Sequence, residues 1–194
     1  MPRPSLREAI VESATTEFHL HGYNGTGVAA ITSAAGAPKG SFYNHFASKE
    51  QLALEVVDRF ADGMGLEMLS DTAVPPLERI RGHFASLAGA LEVHAFRRGC
   101  LLGNLAVETA VDGPEVAARV TAFFDRWSVA LAAAIREAQA DGSVPAHVDA
   151  DVVADELIDL YEGRTMRART TAGPAGMQHL LDHALPRLLE LPRA

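Results

Sequence analysis

A single cysteine, Cys100, in a chain of 194 residues excludes an internal disulfide and a cysteine-built zinc site. That thiol is left with three possible roles: packing, reactivity, or one half of a bridge between subunits. No apolar run approaches the roughly 18 residues a bilayer span requires. The opening stretch MPRPSLREAI has no apolar signal core, so the expected location is cytoplasmic. Also missing are a glycine-rich nucleotide loop behind a strand, a His-Glu-x-x-His run and a convincing nucleophile–base pair, which sets enzymes aside. No metal or cofactor is implied.

Positive charge is scarce, and the formal net charge is −8. Its distribution matters more than its sum. Residues 1–49 hold Arg3, Arg7, Lys39 and Lys49 against Glu8, Glu12 and Glu17, while residues 50–194 carry thirteen basic and twenty-two acidic side chains. All the excess acidity thus lies outside the first quarter of the chain, an arrangement compatible with a small DNA-reading head on an acidic body.

What the chain does contain is helix signal, nearly end to end, with no strand alternation. Ser5 followed by Glu8 forms a capping box for a first helix carrying Ile10, Ala14 and Phe18 at helical spacing, which His21-Gly22-Tyr23-Asn24-Gly25 stops. Thr26 is expected to cap a second helix ending at Ala35, with Gly36 as a left-handed C-cap. Pro38 suits the first turn of a third helix to about Phe46, and Ser48 with Gln51 caps a long fourth.

Beyond Pro75-Pro76, Leu77, Ile80, Phe84, Leu87 and Leu91 mark one buried stripe. A short segment from about Leu101 to Val111 follows. Val116, Val120, Phe123, Phe124, Trp127, Leu131 and Ile135 mark a longer stripe over Glu115–Ala140, its aromatics read as core. Two last helices, about 149–171 and 174–190, are separated by Ala172-Gly173-Pro174, and Pro186 predicts a kink in the second. These two carry more apolar positions than one core facing needs, as expected where a helical hairpin pairs with its own copy about a two-fold axis. The pairs His19/His21 and His179/His183 read as exposed or interface histidines before they read as metal ligands.

The densest information lies in Gly22–Leu52, GYNGTGVAAITSAAGAPKGSFYNHFASKEQL. Helix, tight turn and short second helix make a helix-turn-helix, whose second helix enters the major groove. Gly40 allows close backbone approach to phosphate, and Ser41, Tyr43, Asn44 and His45 offer hydroxyl, amide and imidazole groups to phosphates or base edges. Lys39 and Lys49 bracket that helix. Ile31, Ala34, Ala35, Phe42 and Phe46 are the candidate core of the head.

The same run resembles the DNA-binding signature of the TetR family: Gly-Tyr, a capping Thr, Ile, Ala-Gly, Lys-Gly-Ser-Phe-Tyr, a His-Phe pair, then Ser-Lys-Glu. The resemblance implies an all-α protein of about nine helices, with a helix-turn-helix head over residues 1–49 and a ligand-binding and dimerisation domain over 50–194. It implies a homodimer through the last two helices, a pseudo-palindromic operator, a small-molecule inducer, and repression as the regulatory sense. It assigns DNA contact to Thr26, Lys39, Gly40, Ser41, Tyr43, Asn44, His45 and Lys49. Ala29 and Ala30 stand where relatives place polar residues, which puts base readout by the first helix of the motif in doubt.

A shorter run, Arg98-Gly99-Cys100-Leu101-Leu102-Gly103-Asn104, is similar to the Gly-Cys-Leu segment of the subgroup that includes the N-ethylmaleimide reductase repressor and the acrylate-responsive repressor. Arg97-Arg98 and a helix start beside Cys100 would favour its thiolate, while burial would make it a small core residue. Phe96, Asn104, Trp127, Tyr161 and Arg164 are the accompanying candidates for a ligand pocket.

Overall fold

In the computed structural model, which describes residues 5–171 and 173–191, every element is helical. Arg3 of the head and Ala172 of the expected breaker lie outside the described residues. The elements are α1 (Leu6–Gly25), α2 (Val28–Ala34), a 3₁₀ helix (Lys39–Asn44), α3 (Lys49–Asp62), a 3₁₀ turn (Leu66–Ser70), α4 (Pro76–Glu92), α5 (Leu101–Thr109), α6 (Pro114–Ala140) and α7 (Ala150–Thr171). The last helix runs as α8 (Ala175–His179), a π-helical segment (Leu180–Ala184) and α9 (Leu185–Leu188). No described helix is long and apolar enough to cross a membrane.

Packing divides the chain into two compact units. One comprises residues 1–63 with 100–122, the other 64–99 with 123–194. The first therefore contains α1, α2, the first 3₁₀ helix and α3, together with α5 and the first part of α6. Its core is Ile10, Val11, Ala14 and Phe18 of α1 against Ile31, Phe42, Phe46, Leu52 and Val56. The second unit is built on α4, the rest of α6, α7 and the last helix, around Ile80, Phe84, Trp127, Leu131, Leu157 and Leu180.

Local chemistry explains most boundaries. Ser5 Oγ accepts the Glu8 amide at 3.2 Å and Ser48 Oγ that of Gln51 at 3.0 Å, while the Gln51 carboxamide turns back to the Ala47 amide at 2.6 Å. Gly36, at φ 66°, ends α2 with the Ala37 amide reaching the Thr32 carbonyl at 2.8 Å.

Two expectations need correction. The N-cap of α2 is Gly27, not Thr26, and it makes no side-chain capping bond. The third helix is a 3₁₀ helix starting at Lys39, with Pro38 as its cap. Six residues between a proline and the loop before Ser48 leave room for little beyond i→i+3 bonds such as Ser41 N–H to Pro38 C=O, 2.9 Å.

Pro186 marks the expected irregularity. It has no amide to donate, and in a regular turn its ring would press on the carbonyl four residues back. The π-helical segment Leu180–Ala184 widens the turn just ahead of it.

Candidate nucleic-acid interface

The first unit presents its polar row from the 3₁₀ helix. Phe42 and Phe46 point inward, fully buried or nearly so, with ring centroids 5.7 Å apart. Anchoring two residues four apart turns those between and before them outward. Lys39, Gly40, Tyr43 and Asn44 are exposed, Tyr43 to 62%, while Ser41 and His45 are half-buried. A Cβ built on Gly40 would meet nothing within 4 Å, so the bare backbone there faces open space. Ser41 Oγ donates to the Pro38 carbonyl at 2.6 Å. Lys39 and Asn44 have no side-chain partner among the described residues.

Two of the expected contacts are engaged inside the unit instead. Thr26 is 1% exposed, and its hydroxyl donates to the Glu17 carbonyl at 3.2 Å, which stitches the loop after α1 onto that helix. Lys49 extends from the first turn of α3 so that its Nζ donates to the carbonyls of Tyr23 at 2.9 Å and Thr26 at 3.2 Å, 4.1 Å from the Tyr23 ring centroid. Partial burial pulls this ammonium below its usual pKa, and the Glu108 carboxylate opposes that in part. Lys49 therefore ties α3 to the end of α1. The remaining described guanidiniums of this unit are also engaged, Arg7 with Glu55, Arg59 with Glu8 and Glu55, and Arg119 with Asp58.

One determinant carried no sequence signal. Glu108, on α5 in the same unit, accepts the Asn24 backbone amide at 2.9 Å, and its own carbonyl accepts from Asn24 Nδ2 at 3.3 Å. Gly22 makes this possible. Its φ of 77° and ψ of 169° break α1, and a Cβ there would lie 2.1 Å from Glu108 Oε1.

Comparison with known proteins gives this geometry its context. Residues 10–56 match the family model described as bacterial regulatory proteins, tetR family, and residues 76–184 match that of the Tetracyclin repressor-like C-terminal domain. The chain belongs to the TetR family. It is a DNA-binding transcriptional regulator. The HTH-type transcriptional repressor DhaR of Mycobacterium sp. (strain GP1) is 35% identical over 87% of this chain and 85% of its own. The transcriptional regulator AcuR of Cereibacter sphaeroides is 31% identical over 89% and 81%. A crystal structure of a regulatory protein TetR from Rhodobacter sphaeroides superposes with a TM-score of 0.84 at 29% identity, covering 91% of this chain and 95% of that one.

For a TetR regulator the charge inventory of the described head has a measurable consequence. With Arg7, Arg59 and Lys49 engaged, Lys39 is its one cation free for phosphate among the described residues. Each phosphate neutralised contributes a slope of roughly 0.9 to the salt dependence of DNA affinity. Lys39→Ala is expected to lower that slope by about one unit per head, whereas Lys49→Ala weakens binding through a loosened head with the slope unchanged. Fluorescence anisotropy over a salt series distinguishes the two, and a flattened slope in Lys49→Ala would return that residue to the phosphate contacts.

The pocket candidates fall into both compact units. Cys100 and Asn104 belong to the first, and Phe96, Trp127, Tyr161 and Arg164 to the second. Cys100 is the N-cap residue of α5 and is 3% exposed, which supports a packing role for the thiol. Phe96 is buried and adopts φ 58°, a conformation uncommon for a bulky side chain, with its amide on the Leu91 carbonyl at 2.9 Å. Trp127 and Tyr161 meet edge to face at 5.4 Å, and Arg164 lies half-buried against Gly176. His179 and His183 pack 5.1 Å apart on the last helix, and no metal-sized group of His, Cys, Asp and Glu forms among the described residues.

Proposed function

We propose that this regulator is a homodimeric repressor that holds a pseudo-palindromic operator and leaves it when a small molecule occupies the C-terminal domain. The proposed division is a DNA-reading head over residues 1–49 and a ligand-binding and dimerisation domain over 50–194. The observation that carries the reading is the outward row Lys39, Gly40, Tyr43 and Asn44, held by the inward pair Phe42 and Phe46. Ser41 and His45 flank that row, and we assign all six to the operator. Tyr43 and Lys39 suit phosphate, and the Asn44 carboxamide suits a base edge.

A Lys39→Ala/Tyr43→Ala/Asn44→Ala triple variant tests this directly. These side chains are exposed, and Tyr43 packs only edge-on against Phe42 with ring centroids 5.2 Å apart, so its helical circular dichroism should stay close to wild type. Losing three contacts at about 1 kcal/mol or more each predicts operator binding weakened by at least about a hundredfold. Undiminished binding would overturn the assignment.

Dimerisation is supported by apolar side chains left at the surface of α7 and the last helix. Val152 is 52% exposed and Met166 66%, and Leu160, Leu181 and Leu188 are half-buried. A two-fold mate would cover such a face and set the heads about 34–36 Å apart, one turn of the duplex. Placing Asp at both Leu160 and Leu181 should give a folded monomer by sedimentation with severely weakened operator binding. A dimer unaffected by both charges would place the interface elsewhere.

The inducer site is proposed in the second unit, among Phe96, Trp127, Tyr161 and Arg164, with Cys100 and Asn104 as separate candidates in the first. Repression is the regulatory sense suggested by relatives named as repressors.

A further inference from the structure

His83 is fully buried in α4; the Gly65 carbonyl lies beside its ring, yet neither ring nitrogen closes a well-formed hydrogen bond among the described residues. The same holds for Nε1 of Trp127, also fully buried, whose ring lies 5.6 Å from that of His83. Three buried polar nitrogens thus sit on two adjacent rings. Around them stand Phe84, 5.5 Å from His83 and 6.2 Å from Trp127, and Tyr161, 5.4 Å from Trp127. All four residues belong to the second compact unit.

A buried polar group without a partner is costly, and a phenylalanine at position 83 would fill similar space at no such cost. Apolar walls with a few convergent polar groups are the composition of a small-molecule site. One oxygen atom reaching both rings would satisfy the indole N–H as an acceptor and the imidazole as donor or acceptor.

Charge narrows the ligand class. Burial holds the imidazole neutral, with a pKa lowered to about 4, although the Gly65 carbonyl and the Glu67 carboxylate on its flank both favour protonation. A neutral ring beside a carboxylate gives a second buried anion no positive charge to pair with.

We propose that His83 and Trp127 form the polar end of the inducer site, and that it takes a small uncharged apolar molecule bearing a hydroxyl or carbonyl oxygen. This rests on the ligand-sensing reading above and adds both a residue and a ligand class to it.

Trp127 is the only tryptophan of the chain, so its indole N–H gives a single, assignable NMR resonance. Wild-type protein is titrated with cyclohexanol, cyclohexanone, cyclohexanecarboxylate and methylcyclohexane. The alcohol or the ketone should move that resonance downfield saturably and bind about tenfold tighter than the carboxylate or the hydrocarbon, as one retained hydrogen bond allows. In His83→Phe, checked for wild-type circular dichroism, the preference over methylcyclohexane should shrink to the part that the Trp127 indole N–H alone supports.

No saturable shift with either oxygenated probe would overturn the proposal, as would tighter binding of the carboxylate. Wild-type titrations alone therefore decide it even if His83→Phe fails to fold. Operator binding in the same samples separates this from the broader reading. A probe that binds as proposed yet leaves the operator complex intact sinks ligand-driven release while the site stands. Release by the oxygenated probes supports both.

Discussion

Replacing Gly22 by alanine is expected to lower stability by about 3–5 kcal/mol and the Tm by about 10 °C or more. Two costs combine. At φ 77° and ψ 169° the backbone occupies a region that is essentially glycine's alone, costing any other residue about 1–3 kcal/mol. The new Cβ would also fall 2.1 Å from Glu108 Oε1. Glu108 can swing away only by releasing the Asn24 amide it accepts at 2.9 Å, and a hydrogen bond to a charged group contributes about 1.5–3 kcal/mol.

The same change should weaken operator binding. Tyr23, next in sequence, supplies both a carbonyl and a ring to Lys49, which fixes the start of α3 after the 3₁₀ helix proposed to face DNA. Adding Glu108→Ala to Gly22→Ala removes the collision and leaves the backbone strain, so the double variant should be less destabilised than the sum of the two single variants. Thermal denaturation of the four proteins measures this. A wild-type Tm in Gly22→Ala would refute the account of α1's break.

Elements with local causes were legible in the sequence. Ser5, Ser48 and Gly36 act through neighbours three or four residues away, and each does in the structure what its pattern implies. The 3.6-residue spacing of Ile80, Phe84, Leu87 and Leu91 likewise predicts the buried face of α4. Residues whose roles depend on distant partners were not legible. Thr26 looks like a cap from its neighbours, yet the Glu17 carbonyl nine residues back takes its hydroxyl. Lys49 looks like a phosphate ligand until the turn at Tyr23 folds against it. Glu108 sits 84 residues from Asn24, and no periodicity connects them.

His83 is an intermediate case. Its position between Ile80 and Phe84 puts it on the buried face of α4, so burial could have been read from spacing, but the lack of a well-formed hydrogen bond at its ring nitrogens could not.

That buried ring should make the protein acid-labile. In the unfolded chain His83 titrates near its ordinary value of 6.5, whereas in the fold burial lowers it to about 4. Below pH 6.5 the unfolded state binds a proton that the native state refuses, so protonation pulls the equilibrium toward unfolding. The neutral-ring stability is fully present above pH 6.5, falls as pH drops through the window and is exhausted near pH 4. The total is about 3 kcal/mol at 1.36 kcal/mol per pKa unit, with about 2 kcal/mol lost by pH 5. Most carboxylates begin to titrate only below pH 5, so histidines dominate the interval between pH 7 and 5, and the difference between wild type and a variant lacking His83 isolates this one among the eight. Urea midpoints should fall more steeply over that interval in wild type than in His83→Phe, which has nothing to protonate at that position. An equally steep fall in both proteins would show that His83 is solvated in the native state and does not set the acid limit of the fold.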